Sequence, residues 1–342
     1  MKIGRALVVT AAVVVCVYAV GSLVWKAGLP YKGYTAPSTV VVIEPGHPAR
    51  AAVARLQEAG VIRSALGFRL LMRLHHAEEK IHAGEYEFSG AMTPFQVLDK
   101  LVRGDIILHK LTVPEGLRLD EVAELAVAAG FGPRQQFLDA AKDPRPIADL
   151  DPDAKDLEGY LFPDTYLLAR GTSPAAVVAE MVQRFRRELI PERVARARQL
   201  GMSLRQVVTL ASLVEEEAKE DDERARIAAV FHNRLKLSMP MQCDPTVVYA
   251  LVRDNRYRGR IFRSDLEYPS VYNTYLRPGL PPGPICSPGA RSLEAALYPA
   301  QSGELYFVVS GPGRHRFSTN IQDHEQAVRA YRRESALVNR HR

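Results

Sequence analysis

Residues 204–220 read LRQVVTLASLVEEEAKE. At about 100° per residue, Leu204, Val207, Ala211, Val214 and Ala218 centre one apolar stripe, the pattern of a helix that packs a face into a core. The same geometry separates the three adjacent glutamates. Glu216 points nearly opposite the stripe, Glu217 lies on a flank, and Glu215 lies nearest the core-facing side, in line with Val208 and Ala211. Glu215 is therefore the carboxyl expected to be partly desolvated. Desolvation disfavours the carboxylate, raises its pKa and keeps a proton available for donation near neutral pH. The plainer alternative is the solvated acidic end of a surface helix, since charge runs usually mark exposed faces.

Downstream of this helix, polar residues are set among prolines and aromatics in MPMQCDPTVVYA (239–250), YNTYLRPGLPPGPICSPG (272–289) and HRFSTN (315–320). Rigid loops bearing Tyr, Asn, Thr and Asp suit a saccharide groove, where rings stack on sugar faces and amides meet hydroxyls. Gln242, Asp244, Tyr272, Asn273, Tyr275 and Asn320 are the candidate contacts. Each segment alone also has an ordinary reading, with Asp244 and Asn273 as turn or cap residues and His315 as a surface histidine. Upstream, LEGYLFPDTY (157–166) alternates aromatics with carboxylates, Glu158 among them, and cannot be a regular helix through Pro163. Ser173–Leu189 has strong helical spacing, and residues 142–155, dense in Asp and Pro, read as an exposed connection.

Further toward the N-terminus, the β-branched run Ile106–Val113 ends in the turn PEG (114–116), and helices follow at 119–129 and 133–141. Before it lies a small strand-and-helix module with no evident catalytic cluster. Its strands are Thr39–Ile43 and Gly84–Phe88. Its helices are Ala49–Ala59, Ser64–His75 with Leu66, Leu70, Leu71 and Leu74 as apolar positions, and one capped by Thr93 that carries Phe95, Val97, Leu98 and Leu101 and closes at Gly104. Gly28–Ser38, rich in Gly, Pro and Tyr, reads as a linker.

The first residues set the compartment. ALVVTAAVVVCVYAVGSLVW (6–25) carries no charge and, at 1.5 Å per residue, reaches about 30 Å, the thickness of a bilayer core. Lys2 and Arg5 precede it, which keeps the N-terminus cytoplasmic and sends the chain after Lys26 across the membrane. A cleaved signal peptide is the competing reading, but the run is long for an h-region. Either way the bulk of the chain is outside the cytoplasm.

Length and composition agree with this plan. The chain has 342 residues, enough for about two compact units, with 47% hydrophobic and 25% charged residues, which argues against a disordered or polytopic membrane protein. A formal charge of +6, not gathered into a block, permits an anionic partner without demanding one and does not support nucleic-acid binding. Cys16 lies in the apolar run, and whether Cys243 and Cys286 pair is open. There is no zinc-type spacing, P-loop, placed GxGxxG or G-x-S-x-G elbow.

Six segments in order, LEGYLFPDTY (157–166), ASLVEEEA (211–218), VFHNRL (230–235), QCDPTVVYAL (242–251), YNTYLRPGLPPGPICSPG (272–289) and LYFVVSGPGRHRFSTNIQDH (305–324), closely resemble the MltG/YceG family of membrane-anchored endolytic murein transglycosylases. The resemblance runs the length of the chain, anchor included. Departures are small, notably Ala218 after the third glutamate and Cys243 before Asp244. It implies an α+β fold of four parts: a stub and transmembrane helix (1–27), a linker (28–38), a LysM-like module (39–110) and a catalytic domain (111–342).

The family's catalytic glutamate falls on Glu215. The implied reaction cuts the MurNAc–GlcNAc β-1,4 bond inside nascent glycan strands and leaves a 1,6-anhydro-MurNAc end, with no metal or cofactor. The implied location is the outer side of the cytoplasmic (inner) membrane, with peptidoglycan as substrate and cell-wall synthases (penicillin-binding proteins) as candidate partners. Two rival readings stand beside it: a muramidase using Asp244 or Glu158 as a second carboxylate to activate water, and a non-catalytic glycan-binding scaffold for the synthases.

Overall fold

β1 (Ser38–Ile43) pairs antiparallel with β2 (Gly84–Ser89), Ser38 opposite Ser89 and Ile43 opposite Gly84. The alternation of a strand puts Val41 and Ile43 inward and leaves Val40 half-exposed. Two helices fill the connection between these strands, α1 (Ala49–Glu58) and α2 (Ala65–Leu74), and α3 (Pro94–Arg103) follows β2. Together they bury Leu56, Phe68, Met72, Tyr86, Phe88, Val97 and Leu101 in one core. A reciprocal capping box between Thr93 and Gln96 starts α3, and Gly104, left-handed at φ 69°, ends it.

Two expectations for this region change. The stretch read as a linker is laid onto the unit: Tyr31 exchanges backbone hydrogen bonds with Met92 (2.9 and 3.2 Å), and the Tyr34 hydroxyl donates to the Phe88 and Gly90 carbonyls (2.9 Å each). The apolar positions of α2 also divide differently. Phe68 and Met72 fill the core, whereas Leu66, Leu70 and Leu74 stand in solvent at 73, 58 and 69% exposure, and Phe95 of α3 is likewise exposed. The helix is apolar on two opposite faces, and the core takes the one that carries the aromatic ring.

The computed structural model describes residues 28–44, 46–311 and 313–340, so the expected membrane-spanning helix and its stub (1–27) lie outside the described residues. Among the described residues no helix is long and apolar enough to cross a membrane. The chain divides into two units. One takes the chain up to His109 together with Leu167–Gly171, and the other takes Lys110–Tyr166 and everything from Thr172. β3 (Leu108–Val113) pairs with β4 (Asp164–Ala169), and the boundary falls inside both strands.

The larger unit is mostly helical: α4 (Leu119–Ala128), α5 (Arg134–Ala141), α6 (Pro174–Glu188), α7 (Pro191–Gln199), α8 (Leu204–Glu217), α9 (Arg224–Lys236), α10 (Asp244–Arg253), α11 (Ala290–Leu297) and α12 (Ile321–Arg340). A hairpin of β5 (Tyr306–Val309) and β6 (His315–Ser318) precedes α12. The centre of this unit is α8. A capping box of Ser203 and Gln206 opens it, and every residue from Val207 to Val214 is buried. It is thus covered on all sides by α7, α9, α10 and α11 rather than on one stripe. Its interior polar groups are satisfied: the Ser212 hydroxyl donates to the Thr209 carbonyl (2.7 Å) and accepts the Ile285 N–H (3.1 Å).

Candidate active site

The last turn of α8 carries the three glutamates out of this core, each toward a different neighbour. Glu215, its side chain 7% exposed, accepts from the Arg224 guanidinium (3.1 Å) on one oxygen and from the Gly289 N–H (2.9 Å) on the other. Arg224, at the start of α9, is itself buried and is fixed by the Ser292 hydroxyl (2.9 Å) and Asp221 (3.1 Å). Asp221 in turn is paired with Arg291. Glu216 is exposed and accepts from the Cys286 thiol, while Glu217 accepts from the Cys243 thiol. Burial pushes Glu217 up to about 7, with Asp244 and Glu216 adding to the shift and the Cys243 thiol opposing it.

Three loops meet at this helix end. The PEG turn is stitched to residues 287–289, with Gly116 N–H to the Ser287 carbonyl (3.0 Å) and Ser287 N–H to the Leu117 carbonyl (2.8 Å). Gly116 is left-handed at φ 81°, and a side chain there would approach Glu215 and Glu216. The turn places the Glu115 carboxyl directly over the α-carbon of Gly289, the residue whose N–H holds Glu215. Partial burial raises the pKa of Glu115, the nearby charge of Glu215 raises it further, and Arg224 and Arg291 pull it back.

The third loop is the joined pair 242–244 and 273–275. Gln242 N–H bonds the Thr274 carbonyl and Cys243 N–H bonds the Thr274 hydroxyl (3.1 Å each). Gln242 is held left-handed at φ 50° with its side chain exposed, an unfavourable backbone state for a residue with a Cβ. Asp244, exposed at the start of α10, accepts from the Tyr275 hydroxyl (2.5 Å).

The other sequence candidates fall elsewhere. Asn273 is fully buried, and its amide donates to the Leu266 (3.0 Å) and Tyr268 (2.9 Å) carbonyls while accepting the Tyr275 N–H (3.0 Å). The expectation of a direct sugar contact is corrected for Asn273, because its polar atoms are committed to shaping the loop. Asn320 is exposed at the start of α12, where its side chain accepts the Asp323 N–H (2.9 Å) and donates to Asp323 (2.8 Å), capping the helix. His315 is not a surface histidine, since its side chain is 6% exposed and bonded to Glu223 (2.8 Å). Cys243 and Cys286 are both free and buried.

Glu158 and Tyr272 line a separate cavity of about 230 Å³ with Tyr160, Arg205 and Arg253. Arg205 is in the first turn of α8, ten residues before Glu215, so about 15 Å of helix separates them. Glu158 is buried, with its oxygens taken by the Leu119 N–H (3.0 Å) and the Tyr249 hydroxyl (3.3 Å), and burial raises it to about 8. Tyr272 packs against Tyr249 at 4.8 Å between ring centroids and beneath Arg253 at 5.3 Å.

Sequence reasoning missed Glu115, Arg224, Gly289 and Ser292. PEG reads as an ordinary turn, and Arg224 sits in the mixed-charge run DDERAR, where nothing sets it apart. The one available signal was the glycine on either side of the contact, Gly116 and Gly289. Glu215 also differs from expectation in kind: burial is present, but so are an arginine and a backbone N–H, donors that suit a carboxylate.

A buried acidic helix end enclosed by these loops, on an α+β frame of two units, defines the class, and a family model covers it: the chain belongs to the YceG-like family, matched over residues 41–330. Among characterised relatives, it is 32% identical over 305 residues to the endolytic murein transglycosylase of Bacillus subtilis (strain 168), covering 84% of this chain and 83% of that one. It is 29% identical over 302 residues to the endolytic murein transglycosylase of Streptococcus pneumoniae (serotype 2, strain D39), covering 80% of this chain and 54% of the longer relative. In three dimensions it is similar to the crystal structure of a YceG-like protein from Listeria monocytogenes, with TM-score 0.58, 33% identity, and 85% of this chain and 99% of that chain covered.

Proposed function

We propose that this protein is a peptidoglycan lytic transglycosylase that cuts the MurNAc–GlcNAc β-1,4 bond within nascent glycan strands, with Glu215 as general acid and then base. The observation that carries the reading is the placement of Glu215: its side chain is 7% exposed and gripped by Arg224 and the Gly289 N–H, on the same helix end whose Glu217 meets the loop of Gln242, Asp244 and Tyr275. The names of the relatives, endolytic murein transglycosylase, support the substrate and the internal mode of cleavage.

Partial burial is the larger cause that raises the pKa of Glu115, which also lies close enough for the charge of Glu215 to raise it further. Glu215 delivers a proton to the glycosidic oxygen as the C1–O4 bond breaks. The MurNAc 6-hydroxyl then attacks C1, and Glu215, now a carboxylate, takes its proton. Water is not consumed, and the nucleophile is part of the substrate, which gives it the high effective concentration of a tethered group. Arg224 and the Gly289 N–H support the carboxylate between the two transfers.

Gln242, Asp244 and Tyr275 are the sugar contacts in this reading, Tyr272 and Glu158 line a secondary cavity, and Asn273 supports the loop. The strand–helix–helix–strand order of the small unit supports a LysM-like, glycan-binding role for it. The apolar run 6–25 anchors the protein in the cytoplasmic membrane and holds the site on the outer side, where synthases release new strands.

A second reading, hydrolysis by a muramidase, draws on one specific observation, the second carboxyl at the site. The residue would be Glu115, which the charge of Glu215 reaches, whereas both oxygens of the buried Glu158 are engaged. The first test is Glu215→Gln assayed on uncrosslinked glycan. The substitution should leave glycan binding and thermal stability near those of the parent and abolish cleavage, and substantial retained cleavage would remove Glu215 from the chemistry.

A further inference from the structure

The exposed face of α2 has no occupant within its own unit. Leu66, Leu70 and Leu74 recur every fourth residue, so their side chains stack in one stripe, opposite the face by which Phe68 and Met72 enter the core. Phe95 of α3 is 55% exposed, and its ring meets His75, the residue that ends α2, edge-on at 5.4 Å. Single exposed leucines are ordinary, but an ordered apolar stripe on one helix face is not. Arg69 and Arg73, both exposed, run along one flank of the stripe, and Arg63 stands at its start. Among the described residues Arg69 makes no ion pair, and Arg73 has only a loose, exposed one with Glu78 at 3.8 Å.

We infer that this face of α2 rests on an anionic lipid surface, the leucines entering the headgroup boundary and the arginines meeting the phosphates. The inference rests on the proposal that residues 6–25 span the membrane. Arg63, one residue before the α2 cap, stacks on the Tyr31 ring at 5.1 Å, and Tyr31 is fastened to Met92. Tyr31 is only six residues past Trp25, the end of the apolar run, and six extended residues reach about 20 Å. The start of α2 is therefore leashed close to the bilayer. A leucine stripe edged by arginines whose stems lie along apolar surface is the composition of an interfacial helix. A second copy of the chain would meet the same stripe with more arginine, whereas anionic headgroups complement it.

The chain has one tryptophan, Trp25, so a Trp25→Tyr background with Leu70→Trp carries a single reporter on the stripe. The full chain is reconstituted into vesicles of phosphatidylglycerol and phosphatidylcholine whose acyl chains are brominated, and quenching is read. The Leu70→Trp signal should fall by about half, as expected for a side chain at the acyl boundary, whereas a Glu87→Trp reporter on the exposed side of β2 should not. Adding Arg69→Glu with Arg73→Glu, or raising the salt, should restore most of the Leu70→Trp signal. Quenching of Leu70→Trp no greater than that of Glu87→Trp, with Trp25 quenched in the parent, overturns the inference and leaves the anchor standing. A blue shift that grows with protein concentration without quenching assigns the face to a second copy and also overturns it. An unquenched Trp25 removes the anchor, and this inference with it.

Discussion

The carboxyl of Glu115 occupies the space over the α-carbon of Gly289 that any side chain at 289 would need. The glycine is not there for a left-handed turn, because its φ is −77°. It is there so that one carboxyl can lie against the backbone whose N–H holds another. Gly289→Ala should therefore displace the flexible end of Glu115 at little cost in stability and slow glycan cleavage about ten-fold, less than the roughly 10²–10⁴-fold of a group that itself transfers the proton. Glu115→Gln should give a similar loss, and the double variant should be no worse than either single one, because both remove the same interaction. Rates of strand shortening and melting temperatures of the four proteins check this. Additive losses would separate Glu115 from Gly289.

Among the described residues Arg224 is the only cation paired with the Glu215 carboxyl. Arg224→Met leaves the buried Glu215 carboxyl without its cation, supported only by the Gly289 N–H, which should cost about 3–5 kcal/mol. Arg224→Lys keeps the charge but loses the fork whose Nη1 reaches Glu215 and Ser292 while Nε reaches Asp221, and should fall between the parent and Arg224→Met. Denaturant unfolding of the three proteins measures the order.

Glu158 and Glu217 make stability depend on pH in an unusual direction. Burial raises them to about 8 and about 7 in the folded protein. In the unfolded chain both ionise near the ordinary value of about 4.3, so between that pH and 7–8 the folded state holds protons the unfolded state has lost. Stability should fall as pH rises from 5 to 8. Glu158→Gln keeps an acceptor for the Leu119 N–H, removes the titration and should flatten the fall. Melting temperatures across that range test it, and an equal slope in both proteins would contradict the account.

Cys243 and Cys286 are buried against carboxylates, and burial first, then those charges, holds both thiols well above their ordinary pKa. In the native protein at pH 7 neither should be alkylated by maleimide, and both should react on unfolding, as peptide mapping would show.

Legibility in the sequence followed the physics of each feature. Helical spacing is readable in α1 and α8, although α8 is buried all round and not on the one stripe its spacing suggests, and the angle about the helix separates Glu215 from Glu216. Periodicity failed where both faces of a helix are apolar, as in α2, since spacing does not say which face the core will choose. β4 and the hairpin of β5 and β6 do not stand out as strands in the sequence, because their short runs lie inside motif segments rich in Pro, Gly and polar residues. Asn273 reads as a ligand in the sequence because an asparagine that bonds sugars and one that bonds its own loop look alike until the partners are seen. Glu115 and Arg224 come from distant segments, and no local pattern records that folding brings them to the end of α8.

In the proposed reaction Glu215 gives one proton and takes one back while the substrate's own hydroxyl displaces the leaving sugar. Mass spectrometry of the ends made on uncrosslinked glycan tests this most directly. The account predicts 1,6-anhydro-MurNAc ends from the parent protein and no new ends from Glu215→Gln. Reducing MurNAc ends, heavier by one water, would instead make this protein a hydrolase and turn Glu115 into the group that activates water.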